Sequence, residues 1–147
     1  MRVNGEWLLC EDGERRPCVT GTVRAAAGQQ VEVTFLLYGG ADRTVFSADL
    51  LALLRPLAIT DPEQAHLAGI GGKVDSITVE TALEFTRDDG RSVLVRGQFG
   101  IFTIGGSADL SILGRDVTNN FSVIYDYSHQ VVALLALPHY YEIKRAA

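Results

Sequence analysis

Apolar and polar residues alternate with a period of two through most of this chain, which predicts a mainly β protein. Residues 18–24 and 31–37 are rich in β-branched side chains, and residues 26–30 between them are few enough to close a hairpin. Alternation lapses at Phe35-Leu36-Leu37, an apolar run that implies burial on both faces of the strand. Residues 76–85 alternate well, Asp88-Asp89-Gly90 reads as a turn, and residues 92–96 return antiparallel. Residues 99–104 and 121–125 are two further expected strands, with 131–135 as an extra one near the end.

Two segments break the β pattern. Leu50, Leu51, Leu53, Leu54 and Leu57 are spaced by three and four, so Ser47 is expected to N-cap a short helix with Asp49 in its first turn. Pro56 makes Arg55 the expected helix end. Asp61-Pro62-Glu63 is a polar link, and Gly69-Ile70-Gly71-Gly72 predicts a hairpin tip or turn, because glycine accepts backbone angles other residues resist. Residues 138–147 are more polar and are expected either to be loosely held or to pair with another subunit.

Composition narrows the reading. The chain has 147 residues, enough for one domain spanning 1–147, with its core at about 18–137. Lys and Arg total 13 against 18 Asp and Glu, a net charge of −5, and no basic run offers a face for phosphate backbones, so nucleic acid is not an expected partner. Nowhere do about 18 apolar residues run uninterrupted, and the start lacks an apolar signal segment; the expectation is a soluble cytoplasmic protein without membrane contact. Cys10 and Cys18 are too few for a disulfide scaffold and not spaced as a zinc knuckle, so they read as free thiols.

Candidate chemistry is sparse. His66, His129 and His139 have no second ligand at a metal-binding interval, no Gly-x-Ser-x-Gly elbow occurs, and the glycine pairs at 39–40, 71–72 and 105–106 lack a following Lys-Ser/Thr. No metal and no cofactor is expected. Trp7, Tyr140 and Tyr141 read either as packing against the domain or a second subunit, or as isolated exposed aromatics.

Four features in fixed order carry more weight. They are Leu36-Leu37-Tyr38-Gly39-Gly40-Ala41-Asp42, the glycine-rich tip at 69–72, the alternating hairpin behind it, and Ser111-Ile112-Leu113-Gly114-Arg115-Asp116. Together they resemble the retropepsin-like aspartic proteases. That family's active-site turn is two apolar residues then Asp-Thr/Ser-Gly-Ala, and its second signature is two apolar residues then Gly-Arg-Asp/Asn before a short helix. The resemblance covers about residues 19–126. It implies a closed β-barrel with one lobe per chain, a homodimer, a flap at Gly69, Ile70, Gly71 and Gly72, and a short helix over 117–121. It also implies an ion pair between Asp42 and Arg115, buried or half-buried near the dimer interface, with Ala41 and Gly114 supporting the groove. Gly40 and Gly114 also have a plainer explanation in close chain approach or backbone angle.

The departure from the family matters as much. Tyr38 stands where the family has its catalytic aspartate, and Gly39 where it has the bracing hydroxyl. The family's chemistry uses two carboxylates, one per lobe, that share a proton and activate water. A phenol ordinarily ionises near pH 10, about six units above an aspartate, so it does not supply that base at neutral pH. Asp42 and Asp49 lie beyond the turn and are not expected to reach the dimer centre, while Asp109 and Asp116 are expected to cap turns and helices. The reading is a pseudo-peptidase that keeps a peptide-binding groove. Its alternatives are an aspartic endopeptidase whose centre is altered in this chain, and a non-enzymatic dimerisation domain.

Overall fold

The computed structural model describes residues 2–59, 66–69, 72–104, 110–140, 142 and 144; for 66–69 and 72–75 the description is of strand pairing alone. In chain order the strands are β1 (Arg2–Asn4), β2 (Glu6–Leu9), β3 (Arg15–Arg24), β4 (Gln30–Leu37), β5 (Val45–Phe46), β6 (His66–Gly69), β7 (Gly72–Thr86), β8 (Ser92–Phe102), β9 (Ser111–Leu113), β10 (Phe121–Asp126) and β11 (Val131–Ala136). Among the described residues two short α-helices interrupt them, α1 (Leu51–Leu54) and α2 (Arg115–Thr118). Candidate motifs at Ile70, Gly71, Asp61-Pro62-Glu63, Gly105-Gly106, Asp109 and Tyr141 lie outside the described residues.

Strands β3-β4-β9-β5-β8-β7 lie side by side, and β3 pairs again with β7, so the sheet closes on itself as a six-strand mixed β-barrel. Closure brings Thr22 opposite Glu84 and Val23 opposite Leu83. Gly21 stands beside this crossing, where a Cβ would fall 2.7 Å from the Phe85 ring and 2.9 Å from the Glu84 carbonyl. A side chain there would push the seam apart. The barrel interior is filled from every wall: Phe35 packs between Phe46 at 5.9 Å and Phe85 at 6.2 Å, and Phe46 meets Phe99 edge-on at 6.0 Å. Aromatic pairs at such separations add to the stabilisation from burial alone.

Strand β4 shows why its pattern changes near the end. Val33, Phe35 and Leu37 point into the core, while Leu36, on the opposite face, is half-buried. The expected double burial is therefore unequal. β4 is flanked by β3 on one side and by β9 on the other, with Phe35, Leu36 and Leu37 parallel to Ser111, Ile112 and Leu113.

A smaller antiparallel sheet, β1-β11-β10, closes off the domain, with Val3 and Leu134 opposite each other and both buried. Trp7 joins it to the barrel. Its Nε1–H donates to the carbonyls of Asp126 and Val131 at 3.2 and 3.0 Å, and Tyr127 packs edge-on against its ring at 5.1 Å. Trp7 thus packs within the domain, while Tyr140 is 88% exposed. The last segment is tied back where Ser122 Oγ and His139 Nε2 approach to 2.7 Å.

Several expectations are corrected. Residues 92–96 and 99–104 are not two strands: β8 runs unbroken from Ser92 to Phe102, and Ile104 lies beyond it, 78% exposed. Gly97 does not break β8 because the strand is paired residue by residue with β7 along its whole length. The second helix is Arg115–Thr118, earlier than 117–121, and Phe121 opens β10. The leucine-rich segment is helical, but in three pieces: 3₁₀ turns at Ala48–Leu50 and Arg55–Leu57 flank α1. Ser47 has the extended backbone of an N-cap but its side chain makes no cap bond; its backbone N–H donates to Ser111 Oγ at 2.9 Å. Among the described residues no helix is long and apolar enough to cross a membrane.

Candidate functional site

Strand order explains how the turn at Tyr38 is built. β4 and β5 are consecutive in the chain, yet β9 lies between them, parallel to β4 and antiparallel to β5. Residues 38–44 must therefore loop over the end of β9. The loop begins with Tyr38 N–H donating to the Leu113 carbonyl at 3.2 Å. Ala41 N–H then donates to the Tyr38 carbonyl at 3.1 Å, which makes Tyr38 the first corner of a tight turn with Gly39 and Gly40 at its apex. The Tyr38 side chain is 39% exposed.

The second signature grips this loop through its backbone. Arg115 N–H donates to the Ala41 carbonyl at 2.9 Å and Asp116 N–H to the Asp42 carbonyl at 3.2 Å. Both donors lie at the start of α2, where backbone N–H groups have no intrahelical partner, and the loop carbonyls satisfy them. The approach is close enough to exclude any side chain at Gly114: a Cβ would fall 2.4, 2.6 and 2.9 Å from the carbonyl carbon, oxygen and nitrogen of Arg43. Gly114 has φ −90° and ψ −178°, so close approach, not backbone angle, requires glycine there. At Gly39 a Cβ would meet nothing within 4 Å.

Side chains complete the arrangement. Arg115 donates to the Gly39 carbonyl at 2.7 Å and pairs with the Asp42 carboxylate. The structure brings Asp42 and Arg115 together, and in the single chain their side chains are 65% and 45% exposed. Such a pair contributes little to stability. A buried link carries more. Thr44, fully buried, donates its N–H to both Asp116 carboxylate oxygens at 2.9 and 3.0 Å and its Oγ1–H to one of them at 2.8 Å. Thr44 Oγ1 in turn accepts the Gly114 N–H at 3.0 Å. Asp116 is therefore not a helix cap; it reaches 72 residues back along the chain. The signal for this was Thr44 itself, a hydroxyl between the loop and the apolar Val45-Phe46.

The flap expectation is described in part. β6 and β7 pair antiparallel from His66 opposite Asp75 to Gly69 opposite Gly72. The base of β7 is held by the segment after α1, with Ile59 N–H donating to the Thr78 carbonyl at 2.9 Å and Ala58 bridged to Val79. Among the described residues no group of three or more His, Cys, Asp or Glu side chains is placed to hold a metal ion. Cys10 and Cys18 are both free, Cys10 half-buried and Cys18 buried.

This architecture defines a class: the chain has the retropepsin-like aspartic protease fold. It aligns with the crystal structure of a retropepsin-like aspartic protease from Rickettsia conorii over 91% of this chain and 90% of that one, with a TM-score of 0.56 and 13% identity. It is also similar to EIAV protease complexed with the inhibitor HBY-793, at 22% identity and a TM-score of 0.45 over 71% of this chain and 86% of that one. No protein-family model and no curated protein matches the sequence.

Proposed function

We propose that this chain is a pseudo-peptidase of retropepsin-like architecture, which holds an extended peptide in a flap-covered groove of a homodimer and does not cleave it. The observation that carries this reading is Tyr38 at the first corner of the turn, with Gly39-Gly40 at the apex. In this fold that corner is where the resemblance puts the catalytic carboxylate, and a phenol is too weak an acid to act as the base. Gly39 offers no hydroxyl either. The loop's supports remain: the backbone bonds from Arg115 and Asp116 and the buried Thr44–Asp116 link still hold it. On this reading the β6–β7 hairpin is the flap, with Gly69, Ile70, Gly71 and Gly72 at its tip, and an extended peptide binds by main-chain pairing along the strands that line the groove. Two copies are needed because one chain supplies one lobe. Free thiols at Cys10 and Cys18 fit a reducing, cytoplasmic setting.

The test is double substitution. Purified wild-type protein incubated with a mixed peptide library between pH 4 and 7 is expected to leave every peptide intact, while Tyr38→Asp with Gly39→Thr is expected to gain cleavage, since Gly39 has open space for a side chain. Robust turnover by the wild type, retained after contaminating proteases are removed, refutes the inactive centre. Sedimentation showing only a 15.9 kDa species at high micromolar concentration refutes the dimer.

A further inference from the structure

The loop that presents Tyr38 has two feet. Its first is the Tyr38 N–H bond to Leu113, and its second is Thr44, from which the chain enters β5. Every polar group of Thr44 is engaged: its N–H and hydroxyl donate to Asp116, its Oγ1 accepts the Gly114 N–H, and its carbonyl accepts the Gly100 N–H of β8 at 3.0 Å. Asp116 grips the loop twice, through its carboxylate on Thr44 and its own N–H on the Asp42 carbonyl. We propose that Asp116, acting through Thr44, is the positioning residue of the Tyr38 turn, and that the exposed Arg115–Asp42 pair is dispensable for its shape.

The physical ground is the contrast of environments. Hydrogen bonds to a carboxylate are shorter and stronger than neutral ones, and these three end on a residue with no solvent exposure that water does not reach to replace them. In the single chain the Arg115–Asp42 pair is open to water on both sides, which screens it and competes for its partners. The turn's geometry is then independent of which residue occupies position 38. This goes beyond the proposed function, since it holds whether or not the groove takes a peptide.

The test reads Tyr38 directly. The protein is labelled with 3-fluorotyrosine at its 5 tyrosines and followed by fluorine NMR, with the Tyr38 signal assigned by its loss in Tyr38→Phe. Asp116→Ala is expected to move or split that signal and to speed amide exchange at Thr44 about ten- to a hundredfold, from loss of bonds to a charged acceptor. Asp116→Asn keeps an oxygen acceptor and is expected to restore both, and Asp42→Asn to disturb neither. If Asp116→Ala does not fold, Thr44→Val is expected to displace the Tyr38 signal and Thr44→Ser to leave it in place. The proposal is overturned if Asp116→Ala or Thr44→Val leaves the Tyr38 signal unmoved, if neither conservative variant rescues, or if Asp42→Asn shifts it as far.

Discussion

Replacing Gly114 by alanine isolates one physical cause. The new methyl would lie 2.4 Å from the Arg43 carbonyl carbon and 2.6 Å from its oxygen, far inside van der Waals contact, and the obstructing atoms are backbone. They cannot swing aside like a side chain, so the loop must rise off the start of α2. Overpacking of this kind costs about 1–3 kcal/mol. Rising also lengthens the Gly114 N–H bond to Thr44 and the Arg115 N–H bond to the Ala41 carbonyl, at about 1 kcal/mol each. The expected loss is about 3–4 kcal/mol, the clash and the two bonds being partly the same displacement. Gly39→Ala is the matched control, in the same loop but with empty space around its Cβ, and is expected to be neutral or stabilising by up to about 1 kcal/mol. Urea unfolding followed by the fluorescence of Trp7, the single tryptophan, measures both. Two results refute the reasoning: Gly114→Ala within about 0.5 kcal/mol of wild type, or Gly39→Ala as costly as Gly114→Ala.

Asp42→Asn is expected to cost less than about 1 kcal/mol in the same assay, because both partners of its ion pair are exposed; a loss well above that would mean the pair is shielded. Burial pushes the Cys18 thiol from an ordinary 9.0 up to about 11, so in the folded protein iodoacetamide near pH 8 is expected to label Cys10 and spare Cys18, as read by mass spectrometry. The unfolded Cys18 releases its proton first as pH rises, so the unfolded state binds fewer protons and stability falls between about pH 9 and 11. Cys18→Ala is expected to flatten that part of the stability curve; an unchanged slope refutes the assignment.

Much of the barrel was readable because its strands alternate. Val33, Phe35 and Leu37 face inward on β4 as their spacing demands. Phe85 does the same on β7, and the turn at Asp88-Asp89-Gly90 falls where glycine permits φ +83°. Strands β5 and β9 were not readable. They have two and three residues, too few to show a period, and they exist because the barrel supplies partners on both sides. β1 and β2 fall in the polar-flanked start of the chain and owe their order to β11 and β3. At the site, the motif order placed Tyr38, Asp42 and Arg115 near one another, while local rules gave Ser47 and Asp116 capping roles. The Asp116 carboxylate goes instead to Thr44, far back along the chain and outside any local window, and the Ser47 side chain makes no cap bond.

The insertion of β9 between β4 and β5 also sets an order of events in time. The loop at Tyr38 is complete only when its gripping residues, 72 positions later, have arrived, and closing so wide a gap is entropically slow compared with forming the β3–β4 or β7–β8 hairpins. A chain ending before residue 111 has the residues of both hairpins but none of those that grip the Tyr38 segment. The Tyr38 turn therefore takes form after the hairpins on either side of it, and only the β1-β11-β10 sheet, which waits for residues 131–136, is completed later.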